Sequence, residues 1–116
     1  MSAGKIIRMS IRHVTPMMEF RVKEIMSSVE SRVRRTAGLQ RIETLVDRND
    51  PNRYLVVTEW DSREALNRWL SSDLCKSVVA ELNTVLDKSV EYSEFVRFAA
   101  SSRARLPRRQ LCRRTD

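Results

Sequence analysis

The apolar residues of this chain recur at every second position, then at every third or fourth, then at every second again, and this change of period restricts the fold more than any other feature. In residues 5–14, KIIRMSIRHV, Ile7, Met9 and Ile11 alternate with Arg8, Ser10 and Arg12. A period of two predicts a strand with one face on a core, and leaves open which face each arginine takes. Thr15 and Pro16 then open a helix as cap and first-turn proline. Met18, Val22, Ile25, Val29 and Val33 form its buried stripe, Arg34 and Arg35 favour the dipole at its end, and Gly38 is the left-handed C-cap.

Residues 39–47 read as a second strand and 53–60, RYLVVTEW, as a third. The polar residues 48–52 turn the chain between them, which makes a hairpin. Asp61 or Ser62 caps the next helix, whose stripe is Ala65, Leu66, Trp69 and Leu70. Ser71, Ser72 and Asp73 break it and start a second helical piece carrying Leu74, Val78, Leu82 and Leu86. Residues 89–98 read as a last strand. From about Ala99 periodicity stops, so the reading divides the chain into a folded domain, 1–99, and a basic flexible tail, 100–116.

Strand, helix, strand, strand, broken helix, strand is the order of an α+β, ferredoxin-like βαββαβ fold. It has a four-stranded antiparallel sheet with both helices on one face. The other face of that sheet carries apolar residues and wants a cover, for which a second copy of the chain is the simplest candidate, giving a homodimer.

Charge narrows the function. The formal net charge is +7, but Arg103, Arg105, Arg108, Arg109, Arg113, Arg114 and Asp116 account for +5 of it, leaving +2 on residues 1–102. A domain so nearly neutral has no electrostatic footprint for nucleic acid, and RYLVVTEW lacks the stacking aromatics and glycine of an RNA-recognition strand. The basic tail remains a candidate contact for an anionic partner. Cys75 and Cys112 stand 37 positions apart and His13 is the sole histidine, so no metal-ligand spacing exists and two free thiols in the cytoplasm are expected. No apolar run approaches the roughly 20 residues of a membrane span, and Met1–Met9 is too short and mixed for a secretory signal.

Gly38, the turn DRNDPNRY (47–54) and WDSREALNRWLSSDLCKS (60–77) together resemble the antibiotic biosynthesis monooxygenase-like family of dimeric α/β-barrel proteins. The pattern is nearest to its heme-degrading branch. The resemblance implies a dimer whose sheets close into a barrel, with a pocket in each subunit between sheet and helices. The iron-ligating histidine of the heme branch falls at Val79, and its asparagine at Met9 or Ser10, so only Trp60 of the three characteristic positions matches. Heme is therefore disfavoured, and the resemblance implies a cofactor-independent monooxygenase acting on a planar, phenol- or quinol-like substrate.

On that reading Met9, Ser10, Trp60, Val79 and Tyr92 bind substrate. Trp60 supplies an apolar wall and one hydrogen bond, Tyr92 or Ser10 orients an oxygen, and Arg8 or Arg12 stabilises an anion. His13 is the candidate base, so Trp60 and His13 are the catalytic candidates. Beside these stand plainer roles. Trp60 and Trp69 serve as core residues, His13 sits exposed or as a cap, and Arg8 and Arg12 pair with Glu43, Glu59 or Glu91 across strands or across the dimer. The rival to an enzyme is a non-catalytic dimeric domain that binds a small ligand or simply assembles.

Overall fold

The computed structural model describes residues 5–98. The segment read as a basic tail, 100–116, with Cys112 in it, lies outside the described residues. Seven elements follow one another: β1 (Ile6–His13), α1 (Glu19–Val33), β2 (Leu39–Asp47), β3 (Asp50–Trp60), α2 (Arg63–Leu70), α3 (Asp73–Asn83) and β4 (Glu91–Phe95). The strands form one antiparallel sheet in the order β2-β3-β1-β4. The sheet and the helices packed on it make the ferredoxin-like α+β fold read from the period of the sequence.

β1 is central. It pairs with β3 from Ile6↔Trp60 to His13↔Arg53, and with β4 from Ile7↔Phe95 to Ile11↔Glu91. Side chains alternate across a sheet, so these two registers divide every residue between faces. Ile6, Arg8, Ser10 and Arg12 share the helix side with Tyr54, Val56, Thr58 and Trp60 of β3 and with Tyr92 and Glu94 of β4. Ile7, Met9, Ile11 and His13 share the other side with Arg53, Leu55, Val57 and Glu59.

The charged phase of β1 thus points at the helices and its apolar phase points away. Ser10 and Arg12 are buried, at 5% and 9% exposure. The cross-strand pairs expected of the arginines do not form, because Glu43, Glu59 and Glu91 lie on the opposite face. Glu59 instead accepts from Arg97 (2.8 Å) and Arg41 (3.4 Å), and the Arg97 hydrogen bond holds its carboxyl below the usual carboxylate range.

The helices cover the sheet through Val22, Ile25, Met26, Val29 and Val33 of α1 and Val78 and Leu82 of α3, joined by Val14, Val56 and Val85. A smaller cluster of Ile6, Trp60, Ala65 and Leu66 seats α2. The Ser62 hydroxyl accepts from Ala65 N at 3.1 Å and the Ser72 hydroxyl from Cys75 N at 3.1 Å, so each serine caps a short helix and the chain breaks between them as read.

Elsewhere tertiary contacts override the local signals. α1 begins at Glu19, not at Pro16, and has no side-chain cap. Thr15 N donates to Val85 O (2.8 Å) and Met17 takes φ +77°, so residues 15–18 form a turn clipped to the end of α3. The hairpin connection shortens to Arg48 and Asn49, with β3 starting at Asp50. α3 stops at Asn83 because residues 84–87 return to β1 through a Val14–Leu86 bridge and an Asp87 N to His13 O bond of 3.0 Å. β4 spans Glu91–Phe95, the stretch that faces Ile7–Ile11, and not the whole of 89–98.

Gly38 has the expected positive φ, +88°, but α1 has already ended at Val33. Its role is close approach. Gly38 O accepts from Asp61 N (2.9 Å), and a Cβ at this position would lie 2.3 Å from Ala65 Cβ. The left-handed backbone alone disfavours a side chain by about 1–2 kcal/mol. Gly38→Ala is expected to cost at least about 2 kcal/mol in urea unfolding, and Ala65→Gly in the same chain to recover about 1 kcal/mol beyond additivity by removing the clash. Strict additivity of the two changes would show that the contact is not what restricts this position.

Candidate active site

The inward phase of β1 forms the floor of a cavity of about 110 Å³ between sheet and helices. Arg8, Ser10 and Arg12 of β1, Thr58 of β3 and Tyr92 of β4 put polar groups on the sheet side. Met26, Val29 and Val33 of α1, Trp69 of α2 and Val78, Val79 and Leu82 of α3 make the roof almost entirely apolar. An engineered apolar cavity of about 150 Å³ takes up benzene, so this somewhat smaller space is on the scale of one aromatic ring.

The two arginines have different circumstances. Arg8 donates to Glu94 (3.0 Å), which also accepts from Arg63 (2.5 Å). The Arg63 hydrogen bond, with the charge of Arg8 added, holds the Glu94 carboxyl below its usual range, so Arg8 keeps an ionised partner. Its guanidinium carbon lies 4.2 Å from the centre of the Tyr92 ring, within cation–π range. Arg12 has no carboxylate partner among the described residues. Its Nε donates to Ser10 Oγ at 3.3 Å, its guanidinium lies 5.9 Å from the Tyr92 ring centre, and its buried Nη1 has no hydrogen-bond partner among the described residues. Burial pulls the guanidinium below its ordinary pKa, but arginine stays charged in proteins, so the cavity holds a fixed positive charge.

Of the residues expected to bind substrate, Ser10, Val79 and Tyr92 line this cavity together. Met9 and His13 do not, since both belong to the outward phase of β1. Trp60 lies behind the wall, fully buried, with its Nε1 donating to Thr58 Oγ1 at 3.0 Å. Its indole is stacked on Trp69, ring centres 6.0 Å apart and planes at 24°. The indole that reaches the cavity is that of Trp69, which the helical stripe had assigned to the core. Trp60 backs it and orients Thr58.

No imidazole lines the cavity among the described residues, and Val79, the position to which the resemblance assigns the heme branch's ligand, is an apolar part of its wall. Burial also raises the Cys75 thiol, keeping it protonated. These residues do not fit a heme. No group of three or more metal-ligating side chains occurs among the described residues, and no helix among them is long and apolar enough to cross a membrane.

A buried charge without a counter-ion destabilises the protein that carries it. Exchanging buried ionic groups for apolar ones of similar volume is often neutral or stabilising, by up to about 4 kcal/mol. Arg12→Met is therefore expected to raise the stability of the ligand-free protein by at least about 1 kcal/mol in urea unfolding. A loss of stability would mean that the guanidinium is internally satisfied.

A family model described as antibiotic biosynthesis monooxygenase matches residues 10–81, which contain β1 from Ser10 onward, α1, the β2–β3 hairpin, α2 and most of α3. Among solved structures, a conserved protein from Methanosarcina mazei Go1 superposes with a TM-score of 0.76 at 18% identity, covering 81% of this chain and 93% of that one. SnoaB, a cofactor-independent oxygenase from Streptomyces nogalater, gives 0.73 at 18% identity, covering 90% and 99%. An antibiotic biosynthesis monooxygenase gives 0.73 at 15%, covering 80% and 98%. At such identities these likenesses establish the fold alone. No curated protein matches the sequence significantly. The family model spans more than half of the chain, and the chain belongs to the antibiotic biosynthesis monooxygenase family.

Proposed function

We propose that the chain is a homodimeric, cofactor-independent monooxygenase that oxidises a small phenol- or quinol-like ring held in the cavity beneath Trp69. The observation that carries this reading is the cavity itself: an apolar roof sized for one ring, over a floor where Ser10, Arg12 and Tyr92 converge. The description of SnoaB as a cofactor-independent oxygenase supports it.

In such a reaction the substrate supplies the electrons. A phenolate ring carbon bonds to dioxygen and forms a hydroperoxide. Loss of the ring C–H proton and cleavage of the O–O bond then leave a quinone carbonyl and one water, so four electrons pass from ring to oxygen. The protein contributes orientation and a dry site, with Trp69 against the ring face and the Arg12 guanidinium favouring negative charge at the ring oxygen. The second copy would cover Ile7, Met9, Ile11 and Leu55, beside which Leu45 and Phe95 are 43% and 48% exposed. Met9 and His13 belong to that covered face, and the free Cys75 suits a reducing cytoplasm.

The reading is tested by oxygen uptake with a panel of one-ring phenols and hydroquinones, using protein freed of metals by a chelator. Wild-type protein is expected to consume oxygen with one water formed per quinone. Arg12→Met is expected to lower kcat by about 10²–10³, the usual effect of removing one preorganised donor to a developing anion. Ligand binding without oxygen uptake across the panel would instead identify a non-catalytic binding domain.

A further inference from the structure

A group able to take a proton from a phenol would have to come from one of the elements around the cavity. α1 contributes Met26, Val29 and Val33, β2 contributes Ile42, and β3 contributes Val56 and Thr58. From α2 come Trp69 and Leu70, and from α3 Cys75, Val78, Val79 and Leu82. β1 and β4 supply Arg8, Ser10, Arg12 and Tyr92. Among the described residues, the titratable groups lining the cavity are thus two arginines, a thiol and a phenol, with no carboxylate or imidazole. Glu94, the carboxylate that Arg8 engages, is also held by Arg63, and Glu30 of α1 accepts from the Thr44 hydroxyl at 2.6 Å. His13 is on the far face of the sheet, where its strand partner is Arg53.

The cavity therefore pairs a permanent cation with the absence of a base. Arg12 is more than nine-tenths buried, and its Nη1 is unpartnered among the described residues beside the cavity that Arg12 lines. A neutral ligand would leave that charge uncompensated in an apolar surrounding, whereas an anionic oxygen would both neutralise it and accept its free N–H. A weakly acidic phenol would have to ionise with no group in the cavity to receive its proton. An acidic one arrives ionised.

We propose that this site takes its aromatic ligand as a preformed monoanion, so that its substrates are one-ring acidic phenols and enols whose charged oxygen is received by Arg12. This rests on the oxygenase reading for its chemistry, but not for its binding. The pH at which the enzyme becomes active would then follow the acidity of the substrate and not that of any protein group.

The test uses 4-nitrophenol, whose phenolate absorbs in the visible while its phenol does not, bound to the full chain without oxygen. The dye bound to wild-type protein is expected to show the phenolate spectrum at least one pH unit below its midpoint in water, equivalent to about tenfold tighter binding of the anion. 4-Nitroanisole, which cannot ionise, is expected to bind at least about tenfold more weakly than the phenolate. Arg12→Gln is expected to abolish both differences. If that variant does not fold, the two wild-type comparisons still decide. A bound dye with the spectrum of the neutral phenol, or equal affinity for the anisole, would overturn the proposal. Because oxygen is excluded, phenolate binding in a protein that never consumes oxygen would uphold the anion site and sink the oxygenase, and neutral binding with turnover would do the reverse.

Discussion

The register of β1 between β3 and β4 is the constraint on which the rest of the structure depends. A central strand hydrogen-bonded on both edges cannot slip by one residue without moving every side chain to the other face. Here the pairing of Ser10 with Val56 on one side and Tyr92 on the other fixes Arg8, Ser10 and Arg12 toward the helices. It also fixes Ile7, Met9 and Ile11 outward. Had the phase been reversed, the cavity would be an ordinary apolar core and the outer face a solvated one. The observed phase creates both a cationic floor inside and an apolar surface outside.

What gives that floor a roof is a set of local devices on the far side of the sheet. Serine caps at 62 and 72 divide the second helical segment in two, which sets α2 and α3 as separate pieces. Gly38 lets the start of β2 approach α2 more closely than any side chain permits. Stacking of Trp69 on the fully buried Trp60 then fixes an indole beside the cavity. The destabilising element of the structure, a charge buried without a counter-ion among the described residues, lies toward the other end of β1, where Arg12 faces Tyr54. Native structures commonly pay for such a group when a ligand completes it.

Much of this was legible in the sequence. The change of period gave the strand and helix order, the serine break and the fold, because those depend on local pattern. The family pattern around Trp60 and the 60–77 segment pointed to the monooxygenase family, and Ser10, Val79 and Tyr92 do meet in one cavity. What failed was what register and tertiary clipping decide. Alternation in KIIRMSIRHV shows two faces but not which is inside, so the inward turn of Arg12 and the outward turn of Met9 and His13 were not readable. Thr15-Pro16 looks like a helix start, but its backbone is held by Val85 and the helix begins one turn later. Trp60 and Trp69 carry similar apolar signals, and only the packing shows that Trp60 stands behind and Trp69 in front.

The central claim is that Arg12 lies inside the domain with no counter-ion among the described residues. Arginine side-chain NMR tests it most directly, by following exchange of each Nε–H with water and its response to a small aromatic anion. The account predicts that the Arg12 Nε–H exchanges far more slowly than that of Arg21, which is half exposed on α1, and that its signal shifts when the anion binds while that of Arg21 stays in place. Fast exchange at Arg12, equal to that at Arg21, would place the guanidinium in solvent and contradict the account.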